Sequence, residues 1–259
     1  MSVFFGLTVT LSAGVALGLF GGGGSLLVVP ALVYLFGRPP VEATAYSLVM
    51  VGTASLVGTC LHWIRRPIPF RRMAAFAVPS VAAAFFVRAM LLPKVPEILG
   101  IGPFAFERDL LFMLAFAVFA AASGTAMLRR QCCLAGPGVM RGWAAPVGIA
   151  TGALTALLGA GGGFLVLPAL ILFVGLPIEQ AVGASLATVA GQSIAGAVGA
   201  LSVTPGFDVR LAFVLTSTML LGVMCGVAAA DYVAPARLRR GFASILLIVA
   251  VAMTIQQLS

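Results

Sequence analysis

The feature that most constrains this chain is an apolar, glycine-broken stretch that occurs twice. GGGGSLLVVPALVYLFG at 21–37 returns as GAGGGFLVLPALILFVG at 159–175. Pro30 pairs with Pro168, an offset of 138 positions. The same offset carries Gly14 onto Gly152, Gly23 onto Gly161, Gly24 onto Gly162, Gly37 onto Gly175 and Pro39 onto Pro177. It also carries Ala43 onto Ala181, Ser47 onto Ser185, Ser55 onto Ser193 and Gly58 onto Gly196. No gap is needed over roughly 45 positions, so the chain is a duplicated unit with a period of about half its length, not a solenoid.

Each copy must fold where backbone polar groups and long apolar faces can both be satisfied. The 259 residues are 61% hydrophobic and 8% charged, with mean hydropathy +1.16. Water-soluble domains carry about 25% charge. Repeated apolar runs of 18 or more residues read as transmembrane helices. The fold class is therefore an all-α polytopic membrane protein with little outside the bilayer. The net charge of +8 would suggest nucleic acid in a soluble protein. Here the basic residues sit in short loops, where the positive-inside rule accounts for them, so no nucleic-acid partner is expected. Cys60, Cys132, Cys133 and Cys225 have neither metal-ligand nor disulfide-framework spacing. Cys60 and Cys225 are expected to pack within helices. The N-terminal MSVFFGLTVTLSAG lacks a basic region and a small-residue cleavage site, and is not read as a removable signal.

Taken in order, apolar residues 3–20 predict a helix stopped by Gly21 to Gly24, and 25–36 a shorter one. Twelve residues reach only about 18 Å, short of a ~30 Å hydrocarbon core. Residues 3–36 thus form a helical hairpin with a glycine tip. Spans follow at 42–63, 73–92 and 110–128, with a mixed-charge loop at 93–109. The second unit repeats the plan: 142–158, a glycine break, 164–174, 178–202, 209–230 and 241–257. The division is a first transmembrane repeat at 1–128, a cytoplasmic linker at 129–141 and a second repeat at 142–259.

The loop 64–72, the linker and the loop 231–240 are basic and are expected on the cytoplasmic side. That favours two inverted repeats of about five helical elements each, with both termini extracytoplasmic. Fusing each short helix to its successor would give parallel repeats and place three arginines of 231–240 outside.

Inverted repeats with broken helices are a transporter plan, with substrate bound at the breaks. Each short helix begins directly after glycines. Its first N–H groups lack intrahelical partners and carry the positive end of the helix dipole. Glycine lets a ligand approach that backbone closely. Such a tip can hold an oxyanion without a buried cation. Tight helix crossing alone explains Gly14, Gly18, Gly58, Gly152 and Gly196. It explains runs of three or four glycines poorly. The expected substrate contacts are Gly22, Gly23, Gly24 and Ser25 at the first tip and Gly161, Gly162 and Gly163 at the second. Ser47 on one long helix joins them. Ser185, Thr188 and Gln192, at i, i+3 and i+7 on its counterpart, complete the set. Serine and threonine also commonly bond a carbonyl one turn back.

Arg88 is expected to snorkel to the interface. His62, beside Trp63, is expected to anchor at the headgroups. Glu42 and Glu179 start matching helices and suit capping. No acidic residue lies mid-membrane, so no proton carrier is legible, and a coupling proton or ion stays open, as does a homo-oligomer. An enzyme is not expected: the only imidazole lies at a helix end, and no metal-ligand cluster or Lys-Ser/Thr phosphate loop follows the glycines. No cofactor or metal is implied. The partners are a small anion and the lipid bilayer.

These motifs carry a resemblance. GLFGGGGSLLVVPAL at 18–32 and GAGGGFLVLPAL at 159–170, with the G-x-P and A-x-x-x-S segments at 37–47 and 175–185, resemble the sulfite exporter TauE/SafE family of membrane permeases. The resemblance covers nearly the whole chain. It implies a multi-pass permease of the bacterial cytoplasmic membrane moving sulfite, organosulfonates or related small anions. An anion channel, or a permease for a non-sulfur organic anion, is the alternative. Gln192 stands opposite Ala54, and Gly163 opposite Ser25, so the halves are chemically unequal.

Overall fold

The computed structural model describes residues 2–65, 70–91, 98–101, 104–107, 121–128, 144–158, 163–202 and 207–258. It is a helical bundle. The first unit comprises α1 (Ser2–Phe20), α2 (Ser25–Tyr34), α3 (Pro40–Arg65), α4 (Phe70–Phe86) and a helix at 121–128, α5. The second comprises α6 (Ala144–Leu158), α7 (Gly163–Leu172), α8 (Ile178–Ser202), α9 (Val209–Ala230) and α10 (Pro235–Leu258). Two differences from the sequence expectation stand out. A short antiparallel pair, β1 (Ile98–Ile101) and β2 (Phe104–Glu107), occupies the predicted loop at 93–109. And α10 starts at Pro235 rather than 241, so Arg237, Arg239 and Arg240 lie on its first turns. Proline suits the first helical position, where its missing N–H costs nothing. The linker 129–141 lies outside the described residues.

Among the described residues, four helical stretches are long and apolar enough to cross a bilayer: Glu42–Arg65, Phe70–Met90, Ile178–Val198 and Val209–Ala230. The short helices α2 and α7 reach only about 15 Å each. Each ends at a glycine in the left-handed region, Gly37 (φ 63) and Gly175 (φ 69). The next N–H then reaches back, Arg38 to the Leu32 carbonyl (3.2 Å) and Leu176 to the Leu170 carbonyl (3.1 Å). α7 is apolar on every side, and its residues from Gly163 to Leu170 are all buried. Outward positions such as Phe213, Val198 and Ile248 are exposed, as a lipid-facing surface requires. Cys60 and Cys225 are exposed too, not packed as expected. They sit on the outer faces of α3 and α9, where a small apolar thiol needs no protein partner.

Packing repeats as the sequence does. α1 lies on α9, its counterpart α6 lies on α4, and α3 lies on its own counterpart α8. Small residues set these approaches. Gly14 faces Met219 and Gly222, and Gly18 faces Val223 to Val227, so α1 and α9 run parallel. Gly148 faces Phe76 and Gly152 faces Ser80, so α6 and α4 also run parallel. Along α3, Leu48, Gly52 and Gly58 meet Gly196, Ser193 and Leu186 in descending order, so α3 and α8 cross antiparallel.

Candidate functional site

The two glycine tips meet. A Cβ built on Gly163 would stand 2.6 Å from the Gly22 Cα and 2.9 Å from its carbonyl oxygen. A Cβ on Gly22 would overlap the Gly163 carbonyl. Only glycine at both positions permits this backbone crossing. Gly21 (φ 69) makes the turn, with its backbone against Val182 of α8. Gly24 abuts the Ala13 carbonyl and Leu17 of α1. Gly23 has the most room, its nearest neighbour being the Phe242 ring at 3.1 Å. The Gly22 carbonyl accepts both the Ser25 hydroxyl (2.8 Å) and the Ser25 N–H (3.2 Å). Among the described residues, the N–H groups of Gly23 and Gly24 make no backbone bond. Gly161 and Gly162 lie outside the described residues.

α2 and α7 thus bring two helix N-termini together. Each carries about half a positive charge. Two half charges about 5 Å apart at an effective dielectric of 20 repel by roughly 1 kcal/mol. An anion at the crossing reverses that sign.

α8 runs along both tips. Val182 meets Gly21, and the Val189 Cγ2 would stand 2.9 Å from a Gly163 Cβ. Ser185 lies between them on the same helical face. It is fully buried, and its hydroxyl has no hydrogen-bond partner. Ser47, Ser55 and Ser193 share that condition, so the unpartnered buried serines form two repeat pairs, Ser47 with Ser185 and Ser55 with Ser193. Elsewhere such hydroxyls bond back one turn, as Thr151 and Thr10 do. Leaving one unmade costs about 1–3 kcal/mol, and a buried orphan calls for an explanation. Thr188 differs: its hydroxyl donates to the Ala184 carbonyl at 2.8 Å. Gln192 differs again. It reaches across to α4, donating from Nε2 to the Ser80 Oγ at 2.8 Å, while its Oε1 is unpartnered. The expected single face of donors therefore divides. Ser185 stays with the tips, Thr188 is satisfied within its helix, and Gln192 faces a cavity one turn further on. Ser47 keeps a free hydroxyl on α3.

Two cavities flank the crossing along α8. One is lined by His62, Arg65, Glu179, Val182, Val227 and Asp231 among others. The other is lined by Leu48, Ala84, Arg88, Thr155, Ala156, Gln192 and Gly196. Val182 lines the first and touches Gly21, and Val189 touches Gly163 before Gln192 opens the second. The first holds an ion pair, Arg65 Nη1 to Asp231 Oδ2 at 2.6 Å. His62 is buried there, while its neighbour Trp63 is exposed, stacked near Phe70. Glu42 pairs with Arg38 at 3.5 Å. Arg88 is half-buried in the π turn Val87–Leu91 that continues α4, and it lines the second cavity rather than reaching outward. A π turn widens the helix by one residue and re-aims its side chains. Ser80 and Thr155 carry no role in the sequence reading. Among the described residues, no group of three or more His, Cys, Asp or Glu is placed to hold a metal ion.

Apolar spanning helices and similar halves that meet at a glycine crossing between two cavities define the class: a multi-pass membrane protein. The family model described as Sulfite exporter TauE/SafE matches residues 6–253, and the chain belongs to that family. It is 32% identical over 179 residues to a "Probable membrane transporter protein" of Xylella fastidiosa strain Temecula1. It is similar to the same degree to a protein of that description from strain 9a5c. Each match covers 68% of this chain and 65% of the relative, so the likeness spans just under two thirds of the relatives' length. No solved structure matches the chain significantly.

Proposed function

We propose that this protein is a secondary transporter of a small oxyanion, a sulfite, an organosulfonate or a related sulfur anion, in a bacterial cytoplasmic membrane. The observation that carries this reading is the Gly22–Gly163 crossing, which sits between two cavities along α8. A carrier needs such an arrangement: one site, closed in the middle, reachable in turn from each side. The family membership and the relatives' bacterial source support it.

The two halves, 1–128 and 142–259, are inverted in this reading. Support comes from the antiparallel crossing of α3 with its own repeat counterpart α8. Two helices exchanged by a twofold axis run antiparallel only when that axis lies across them. For spanning helices it then lies in the membrane plane. In this reading the basic residues near Arg65 and at the start of α10 lie on the cytoplasmic side together with the His62 cavity, and the Arg88 cavity lies on the opposite one. The anion sits at the tips, held by N–H groups of Gly22, Gly23, Gly24 and Gly163 and by the Ser185 and Ser47 hydroxyls. Gly161 and Gly162 belong to the second tip by the repeat. Rocking of one half against the other opens each cavity to the tips in turn.

The test is electrical and isotopic. Purified protein in liposomes is exposed to sulfite, sulfate, thiosulfate, taurine, sulfoacetate and acetate on a supported membrane. Radiolabelled counterflow is measured alongside. Saturable flux of one anion, accelerated by the same anion on the far side, is expected. Flux that never saturates and ignores the far side would instead mark a channel.

A further inference from the structure

The halves repeat the same helix packing but not the same chemistry, and the inequalities converge. Gly152 lies on Ser80 as Gly14 lies on Met219, so Ser80 and Met219 are structural counterparts. Arg88, eight residues beyond Ser80, then corresponds to Val227, eight beyond Met219. By the 138-residue offset, Gln192 corresponds to Ala54 and Thr155 to Leu17. In each case a polar side chain stands where the other half is apolar. All three polar members line the same cavity.

We propose that this cavity is a binding site for a singly charged oxyanion, with Arg88 and Gln192 as its ligands and Arg88 as the residue that sets the charge it accepts. The proposal rests on the transporter reading for its place in the cycle, as the chamber from which the anion reaches the tips. Among the described residues, the cavity lining contains one cation and no carboxylate. Among the described residues, Arg88 makes no ion pair. A half-buried guanidinium in a spanning segment ordinarily finds an anionic or carbonyl partner. Here a monoanion is neutralised one to one. A dianion would leave a charge uncompensated in a poorly solvated site.

Gln192 supplies the second contact. It is 6% exposed, and its Oε1 lacks a partner while Nε2 donates to Ser80. Turning the amide over satisfies everything once an anion is present. Oε1 then accepts the Ser80 hydroxyl proton, and Nε2 donates to the anion beside Arg88. Thr155 donates back to the Gly152 carbonyl at 2.9 Å, so it lends a polar wall rather than a proton. Gly196 completes the cradle. A Cβ there would stand 2.8 Å from Arg88 Nη1.

The test measures equilibrium binding to the full-length protein in nanodiscs at pH 7, with methanesulfonate as the monoanion and sulfate as the dianion. Methanesulfonate is expected to bind at least tenfold more tightly than sulfate. Arg88→Gln should abolish methanesulfonate binding and Arg88→Lys should retain part of it. Gln192→Leu should weaken it about tenfold, and Gly196→Ala, which moves the guanidinium without changing charge, should weaken it several-fold. Equal affinity for the two anions, or unchanged binding in Arg88→Gln of wild-type melting temperature, overturns the proposal. The transporter reading is judged separately by wild-type counterflow. Normal counterflow with unchanged Arg88→Gln binding sinks this site alone. Charge-selective binding lost in Arg88→Gln, with no counterflow of any anion, supports the site and sinks the transport reading.

Discussion

Gly163→Ala adds one methyl group at the point where the tips cross. That methyl would stand 2.6 Å from the Gly22 Cα, 2.9 Å from the Gly22 oxygen and 2.9 Å from the Val189 Cγ2. Carbon atoms settle at about 3.5 Å or more, so the tips must part by about 1 Å. Two of the three neighbours are backbone, and no rotamer change relieves them. Overpacking of this kind costs about 1–3 kcal/mol. Alanine's helix preference at the first position of α7 returns less than about 1 kcal/mol. Net of that return the cost is up to about 2 kcal/mol, so the closed crossing should lose up to roughly 30-fold in population. If the transport cycle passes through that closed form, counterflow in liposomes should fall by about tenfold or more, with melting temperature shifted by only a few degrees. Gly22→Ala should behave alike, since its methyl would overlap the Gly163 carbonyl. Gly241→Ala is the control: its methyl would meet only the Phe20 ring, at an ordinary 3.6 Å. Wild-type counterflow in folded Gly163→Ala and Gly22→Ala would refute the crossing as gate. A Gly241→Ala defect as deep as theirs would show that general damage to the fold, not the crossing, is being measured.

Ser185→Ala removes a buried hydroxyl that has no partner in the empty protein, so thermal stability should hold or rise slightly, while the half-saturating anion concentration in counterflow should rise about tenfold through loss of a hydrogen bond to a charged group. A fall in stability without a change in apparent affinity would make Ser185 a packing residue. Tyr46→Phe keeps the 4.5 Å stack on Phe207 but deletes the acceptor of the Asp208 N–H (2.6 Å); a loss of about 1 kcal/mol in stability is expected from detergent melts, and no loss would mean that water replaces the hydroxyl. Gly222→Ala puts a methyl 2.9 Å from the Gly14 Cα and the Val15 nitrogen, where α1 and α9 lie backbone to backbone, so this variant should reduce the yield of folded protein itself, unlike Gly163→Ala. Normal yield and melting by size-exclusion and thermal assays would place the α1–α9 seam outside the stability core.

What the sequence made legible is what periodicity and exclusion control. The α8 and α9 boundaries fall at 178–202 and 209–230 as expected, because Pro177 and Asp208 start them: Asp208 Oδ1 accepts from the N–H groups of Arg210 (2.9 Å) and Leu211 (3.1 Å). The short helices were legible because glycine runs and a repeated Gly37 and Gly175 bracket them. Side-chain direction was not. Ser185, Thr188 and Gln192 share a face by spacing. Yet one hydroxyl is free, one is spent on Ala184, and the amide reaches Ser80, 112 residues away in sequence. Which partner a buried polar group finds depends on the neighbouring helix, and spacing along its own helix carries no record of it.

The repeat holds one further kind of information. Matched residues such as Ser47 with Ser185 report what both halves share, namely a buried hydroxyl left free. Mismatched ones report what only one side of the molecule does. Arg88 read alone is a cation near a helix end, for which snorkelling is the ordinary fate. Set against Val227, it becomes an exception, and Val227 lines the cavity on the opposite side of the crossing. A carrier built from two equal halves would present the same chamber to both compartments. Among the described residues, the Arg88 chamber offers an unpaired guanidinium, while the His62 chamber offers Arg65 already bound to Asp231 at 2.6 Å. On the proposed transport reading, an anion would meet a free charge on one face and a compensated pair on the other, its affinity would differ between the two half-cycles, and loading would favour the Arg88 side.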